Sequence, residues 1–248
     1  IFMNSFSTLD SLLKDQSAEG VADNDNEIFA FAKGIALMEN VIVVVSDLVR
    51  NRSYIFSGEF AKVLGLSEYS QENSIWEHRL LSLMTDYDRE EKFIAELRFL
   101  NTLRHRKDKG RYYLMSKLRM HSASGDYINV LHRMYYYYSN GTHALRYAVC
   151  LYGPLSTHFS GQSIIVDSLT GSTEELTGSA DKSLLSKREK EVLALIDSGL
   201  KSAEIGERLN ISIHTVSRHR QEILSKLNVK NSIEACRIAH TLHLLPSF

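Results

Sequence analysis

The sequence is poor in cysteine and proline and contains no long apolar segment. Its 248 residues include two cysteines and two prolines. Cys150 and Cys236 lie far apart and form neither a C-x-x-C pair nor a metal-ligand spacing, which predicts two reduced thiols and no metal site. The longest apolar run, residues 41–45, is far shorter than the roughly 20 residues that span a bilayer. Since the N-terminus also lacks the regions of a secretory signal, we expect a cytoplasmic protein without a membrane partner.

Motifs of catalysis are also missing. We find no Ser/His/Asp or Cys/His constellation, no metal triad and no phosphate-binding glycine loop, and glycine totals only 13 residues. His132 and His143 are candidate haem ligands, but a single histidine on a strand or in a turn is more often structural. We therefore predict that the protein is not an enzyme and has no cofactor, while a small-molecule ligand of the N-terminal region is left open.

Charge is distributed unevenly along the chain. Residues 182–248 carry 11 Lys and Arg against 7 Asp and Glu, whereas the rest of the chain carries 18 against 23. A basic C-terminal part attached to an acidic body indicates that this part contacts a polyanion.

The patterns predict an α+β fold with two domains. Consecutive strands at 111–121, 127–138 and 144–153 follow two earlier strands near 41–47 and 53–57, with helices inserted between the two groups. We expect an antiparallel sheet with flanking helices, then a linker rich in Gly, Ser and Thr, then an all-α domain of four helices. The predicted divisions are 1–32 for an N-terminal helical extension, 33–155 for the sheet domain, 156–182 for the linker and 183–248 for the helical domain. A short run at 163–167 is a candidate hairpin that lies on one of the domains.

The C-terminal helices carry clear start and stop signals. Ser186 and Glu189 have the spacing of a capping box, and Gly199 suits the left-handed end of the helix that they begin. Asn210 tolerates the same conformation after a short second helix, and Ser212 can cap a third. A short helix, a tight turn and a further helix at 203–227 have the layout of a helix-turn-helix motif.

The third helix of this region has two different faces. Val216, Ile223 and Leu227 form its predicted buried side. The opposite side carries residues that suit contacts with DNA bases, because arginine can pair with guanine and glutamine with adenine; these candidate base-reading residues are His214, Ser217, Arg218 and Gln221. Further residues flank this face and suit contacts with phosphate, which fix register; they are Lys201, Ser212, Thr215, Arg220 and Lys226.

This region resembles the LuxR-type helix-turn-helix domain over about 60 residues without a gap. The resemblance rests on residues 185–193, Glu204-Ile205, residues 209–212, Thr215-Val216, His219-Arg220 and residues 223–227. It implies double-stranded DNA as a partner, base reading by Ser217, Arg218 and Gln221, and a homodimer formed through the last helix. The implied dimer residues are Ala235, Ile238, Ala239 and Leu242. Ser217 stands where the family often has a basic residue, which indicates a different sequence preference, and Asn210 and Asn228 replace frequent glycines.

The N-terminal region resembles a PAS sensor domain over about residues 33–153. The resemblance rests on residues 54–57, residues 60–66, Trp76, residues 84–88 and the three consecutive strands. It implies a cupped sheet that holds a ligand or serves as a dimer interface. The four tyrosines at 135–138 favour ordinary packing on both faces of a strand, and the helical spacing in residues 6–32 indicates a cap or a helix that pairs two protomers.

The sequence therefore predicts a homodimeric, sequence-specific DNA-binding transcriptional regulator, in which the PAS-like domain senses a signal or sets the dimer geometry. RNA polymerase is a further candidate partner. The alternatives are a receiver-type response regulator, which would need a parallel α/β sheet, and a protein-interaction adaptor that keeps the helix-turn-helix fold.

Overall fold

A computed structural model describes residues 3–16, 25–104, 106–139, 144–156, 162–176, 185–227, 229, 231–241 and 244–245. The chain divides into two compact units. The first comprises Leu9–Glu175, and the second comprises Leu176–Phe248 with Ile1–Thr8. Within the described ranges, no helix is long and apolar enough to cross a membrane.

The first unit is built on one antiparallel sheet of eight strands. The strands are β1 (Ile42–Asp47), β2 (Arg52–Ser57), β3 (Gln71–Glu72), β4 (Tyr112–His121), β5 (Tyr127–Tyr138), β6 (Leu145–Pro154), β7 (Ser163–Asp167) and β8 (Thr173–Glu175). Their order across the sheet is β3-β2-β1-β6-β5-β4-β7-β8. The predicted antiparallel sheet is confirmed, and its five long strands begin and end within one residue of their predicted positions. Membership of the PAS class itself stays a prediction.

Helices precede the sheet and connect its first and second groups of strands. They are α1 (Met3–Gln16), α2 (Asp25–Glu39), α3 (Phe60–Val63), α4 (His78–Leu81) and α5 (Asp86–Arg104). Residues 84–88, one of the segments that resemble the PAS sequence, contain the start of α5. The Thr85 hydroxyl accepts a hydrogen bond of 3.1 Å from the Asp88 N–H and so caps the first turn of this helix.

Each face of the sheet has its own apolar core. On one face, α2 packs Ala32 and Ala36 onto the alternate residues Val43 and Val45 of β1. Helix α5 lies over the opposite face, where Phe99 stacks on Tyr136 with ring centroids 5.5 Å apart. Tyr135 lies on the α2 face and stacks on Tyr113. Tyr135 and Tyr136 therefore pack on opposite faces, as strand alternation predicts.

The predicted bounds of the linker, residues 156–182, are wrong. Strand β7 pairs with β4, and β8 pairs with β7, so residues 163–175 belong to the sheet of the first unit. The candidate hairpin at 163–167 is thereby confirmed. A bidentate ion pair between Arg111 and Asp167 joins β7 to the start of β4. The two residues are 56 positions apart, so the sequence did not predict this contact.

Within Leu176–Phe248, the described residues of the second unit form four helices, as predicted. They are α6 (Lys187–Asp197), α7 (Ser202–Leu209), α8 (Ile213–Leu227) and α9 (Ser232–Thr241). The buried side chains Leu193, Ile205, Val216, Ile223 and Ile238 form the core between them. Ser186 and Glu189 form the predicted capping box at the start of α6, and Gly199 has a φ of 85° just after its end.

Candidate nucleic-acid interface

The turn between α7 and α8 is fixed by backbone geometry and by one cap. Asn210 ends α7 in the left-handed conformation, with φ of 53° and ψ of 50°. The Ile211 N–H then donates to the Gly206 carbonyl oxygen at 2.9 Å. The Ser212 hydroxyl accepts from the Thr215 N–H at 3.0 Å and so begins α8. The two helices are thus held in a helix-turn-helix arrangement.

The candidate base-reading residues all lie on the surface of α8. His214, Ser217, Arg218 and Gln221 are exposed, whereas Val216, Ile223 and Leu227 are buried on the other side of the helix, as predicted. The Arg218 side chain is 76% exposed, and its Nε lies 2.9 Å from Glu222 Oε1 one turn further on. Because an exposed pair of this kind is worth roughly 0.2–0.5 kcal/mol, it would restrain Arg218 little when a base edge competes for it.

Three of the five candidate phosphate contacts lie at the start of these helices. Lys201 and Ser212 are exposed and Thr215 is half-buried. The Ser212 and Thr215 hydroxyl oxygens are 2.9 Å apart. Lys201 lies at the start of α7, and Ser212 and Thr215 lie at the start of α8. N–H groups at a helix N-terminus favour a phosphate. Their contact with phosphate stays a prediction.

The other two candidate phosphate contacts have roles inside the domain. The Lys226 ammonium lies 2.7 and 2.8 Å from the two carboxylate oxygens of the buried Glu189. Burial favours a higher pKa for Glu189, but hydrogen bonds from Lys226 and Ser186 outweigh it and lower the pKa. Lys226 therefore neutralises the capping-box carboxylate, and its contact with phosphate stays a prediction.

Arg220 joins three helices. Its Nη1 donates to the Ser202 hydroxyl at 3.1 Å and its Nη2 to the Ser232 hydroxyl at 3.0 Å. These contacts link the start of α7, the middle of α8 and the start of α9. Arg220 is therefore assigned a structural role as well, which its helical-wheel position next to the reading face could not reveal.

Three of the four predicted dimer residues of the last helix are corrected. Ala235, Ile238 and Ala239 are at most 1% exposed inside the domain of a single chain, so they are not available to a second copy. Leu242 lies outside the described residues. The apolar side chain that α9 exposes is Ile233, at 83%. The apolar stripe of a helix predicts which side is buried, but it does not distinguish burial in the domain's own core from burial in a dimer interface.

Comparison with known proteins bears on this helical domain. Residues 183–239 match the family model described as bacterial regulatory proteins, luxR family. The C-terminal domain belongs to this LuxR family. The LuxR-type domain is 49% identical over 61 residues to the transcriptional regulatory protein LiaR of Bacillus subtilis, a match that covers 25% of this chain and 29% of LiaR. It is 40% identical over 74 residues to the oxygen regulatory protein NreC of Staphylococcus epidermidis, with 29% and 34% covered. The chain thus spans about a third of the length of these relatives.

Solved structures of two regulators resemble the whole chain weakly. VqmA of Vibrio cholerae aligns over 89% of this chain and 88% of its own, with a TM-score of 0.33 and 14% identity. SdiA of Escherichia coli aligns over 98% and 99%, with a TM-score of 0.25 and 17% identity.

The receiver alternative is contradicted by the sheet itself. A receiver needs parallel strands joined by crossover helices, whereas every strand pair described in the first unit is antiparallel. The first unit therefore differs from a phosphoacceptor domain in the direction of its strands.

Proposed function

We propose that this protein is a sequence-specific DNA-binding transcriptional regulator. The observation that carries the proposal is the exposed row His214, Ser217, Arg218 and Gln221 on the second helix of a LuxR-type helix-turn-helix. A helix in this position enters the major groove, where Arg218 would pair with guanine and Gln221 with adenine. Lys201 and Ser212 would contact the neighbouring phosphates and fix the register.

The regulator acts as a homodimer in this proposal. Helix α2 keeps large apolar side chains on its surface, with Phe31 61%, Leu37 60% and Met38 74% exposed, although its other side packs on the sheet. Several large apolar side chains exposed on one helix support a contact with another protein chain. The N-terminal unit would then set the distance between two DNA-binding domains or sense a signal, and RNA polymerase would be a further partner.

The proposal is tested by selecting DNA that the purified full-length chain binds and titrating it at several salt concentrations. We expect a two-fold symmetric site that binds two chains, with an affinity that falls steeply as salt rises because cations are released from phosphates. Arg218→Ala should cost about 1–3 kcal/mol of binding free energy and relax the preference at one base pair in each half-site.

Arg208→Ala is the matched control, because Arg208 is exposed on α7 and the substitution removes the same charge. We expect it to weaken binding by a similar factor on every sequence. An Arg218→Ala protein with unchanged affinity and base preference would overturn the base-reading assignment. A folded full-length chain that recovers no DNA would instead favour the protein-interaction adaptor.

A further inference from the structure

A cluster of charged side chains is buried in the first unit, between α5 and the sheet. The side chains of Lys92, Glu77 and Glu96 are at most 3% exposed. The Lys92 Nζ lies 2.6 Å from Glu96 Oε1 and 3.2 Å from Glu77 Oε1. Tyr152 donates its hydroxyl hydrogen to Glu77. One ammonium thus faces two carboxylates, which leaves a formal charge of −1 in a site closed to water.

One ammonium serves both carboxylates. The Lys92 Nζ hydrogen-bonds to Glu96 and lies slightly further from Glu77, so a single positive charge faces two negative ones. Buried charges in proteins are paired or coordinate a metal ion, so the remaining negative charge favours a further cation.

His132 adds two ring nitrogens without hydrogen-bonding partners, among the described residues, to the same cluster. Its side chain is fully buried, and neither Nδ1 nor Nε2 has a hydrogen-bonding partner among the described residues. Nε2 lies 3.8 Å from Glu96 Oε1, and the ring packs against Tyr152. Burying an imidazole without a partner is costly, so most buried polar groups are paired. An ion bound at this ring would remove that cost.

The sheet register brings a thiol to the same place. His132 on β5 pairs with Tyr152 on β6, and Met134 pairs with Cys150, so His132 and Cys150 are diagonal neighbours on one face. Glu96 approaches them from α5. One ligand atom each from Glu96, His132 and Cys150 all lie within 4.8 Å of one another, and all three residues are buried.

We propose that Glu96, His132 and Cys150 bind a divalent transition-metal ion of the zinc class. Carboxylate oxygen, imidazole nitrogen and thiolate sulfur are the ligand types that zinc takes in proteins. Metal–ligand bonds of about 2.0–2.3 Å place tetrahedral ligand atoms roughly 3.3–3.8 Å apart. The three groups reach that geometry by closing inward by about 1 Å.

The cavity next to the cluster is too small for an organic molecule. Glu96 and Cys150 help to line it, whereas His132 does not, and its volume of about 10 Å³ is roughly the space of one water molecule. A water molecule there would lie beside two of the three proposed ligands and would be available as the fourth. A small organic ligand would require the surrounding core side chains to move apart.

The charges of the cluster also balance with the ion in place. The Cys150 thiol releases its proton to solvent as the sulfur–metal bond forms, and the metal brings two positive charges. With Glu77, Glu96 and the Cys150 thiolate negative, and Lys92 positive, the loaded cluster is neutral. The ion thus supplies the positive charge that Lys92 alone does not provide for the two carboxylates.

The site is tested on the full-length chain, and the result does not depend on DNA binding. The protein is stripped with a chelator, unfolded, and refolded with Co²⁺ or Zn²⁺, because the ligands are closed to solvent in the folded state. We expect one ion per chain, with the near-ultraviolet absorption of a thiolate–cobalt bond. X-ray absorption of the zinc form should show one sulfur ligand at about 2.3 Å.

Cys150→Ser should abolish the thiolate–cobalt absorption, whereas Cys236→Ser, the matched control, should leave it intact. His132→Gln should weaken binding at least tenfold. The fluorescence of Trp76, which is buried in the same unit, checks that each variant is folded. A refolded wild-type chain without a metal–sulfur bond would overturn the proposal, as would thiolate–cobalt absorption that persists in Cys150→Ser.

Discussion

The two units of this chain handle a buried carboxylate differently. In the LuxR-type domain, Glu189 is 2% exposed, but its partner Lys226 is 39% exposed, so water helps to solvate the pair. In the first unit, Lys92 and both of its carboxylate partners are shielded from solvent. A pair that reaches water tolerates the loss of one partner, whereas an enclosed cluster does not. The helical domain should therefore tolerate the loss of Lys226 better than the first unit tolerates the loss of Lys92.

Removing the central ammonium should break the enclosed cluster and produce the largest effect. Lys92→Met leaves Glu77 and Glu96 buried without a cation, so we expect it to cost about 3–5 kcal/mol of the free energy of unfolding. Trp76 is the only tryptophan in the sequence and packs against Phe93 of α5, so its fluorescence during urea unfolding reports on this unit.

The matched substitution in the other unit is Lys226→Met. Glu189 would keep the Ser186 N–H at 2.6 Å and could still be reached by water, so we expect a cost of about 1–2 kcal/mol. Helical circular dichroism measures this change, and Trp76 fluorescence should not follow it. Equal costs for the two lysine substitutions would contradict the distinction between an enclosed and a solvated pair.

The tight turn of the LuxR-type domain should be the next most sensitive point. A Cβ on Gly206 would lie 2.8 Å from the Ile211 carbonyl oxygen, which no side-chain rotation can relieve. We expect Gly206→Val to destabilise the second unit by about 1–3 kcal/mol and to weaken DNA binding through the displaced α8. Glu207→Ala, at the next, exposed position, should change stability by less than about 0.5 kcal/mol. Hydrogen exchange of α7 and α8 amides separates the two, and equal protection in both variants would refute the packing argument.

The same contrast explains what the sequence could predict. The caps at Ser186 and Ser212 and the left-handed stop at Asn210 are local, because each depends on residues within one helical turn. The strands were predictable from alternation and turns for the same reason. The grouping of Glu96, His132 and Cys150 depends instead on the β5–β6 register and on where α5 crosses the sheet. His132 therefore resembled an isolated structural histidine, and Cys150 an inert thiol.

Local signals were incomplete where their meaning depends on a distant partner. The helical wheel puts Lys226 in the position of a phosphate contact, but it does not reveal the ion pair with Glu189, 37 residues earlier. The apolar stripe of α9 predicted a buried side correctly, and only the packing against the other helices shows that this side faces the domain's own core. Ile233, two residues before the stripe begins at Ala235, is an exposed apolar residue of the same helix.

The smallest predicted effect tests whether Asn210 alone determines how α7 ends, without contacts to distant residues. Asn210 has a positive φ and stands where glycine is frequent in the family, so Asn210→Gly should change the free energy of unfolding by less than about 0.5 kcal/mol. Asn210→Ala must place a Cβ in the left-handed region without the compensating side-chain amide, and we expect a cost of about 1 kcal/mol. Both are measured by thermal unfolding of the helical signal. An alanine variant as stable as the glycine variant would contradict a role of Asn210 in the turn. We would then assign its exposed side-chain amide to the DNA interface, close to the candidate phosphate contact at Ser212.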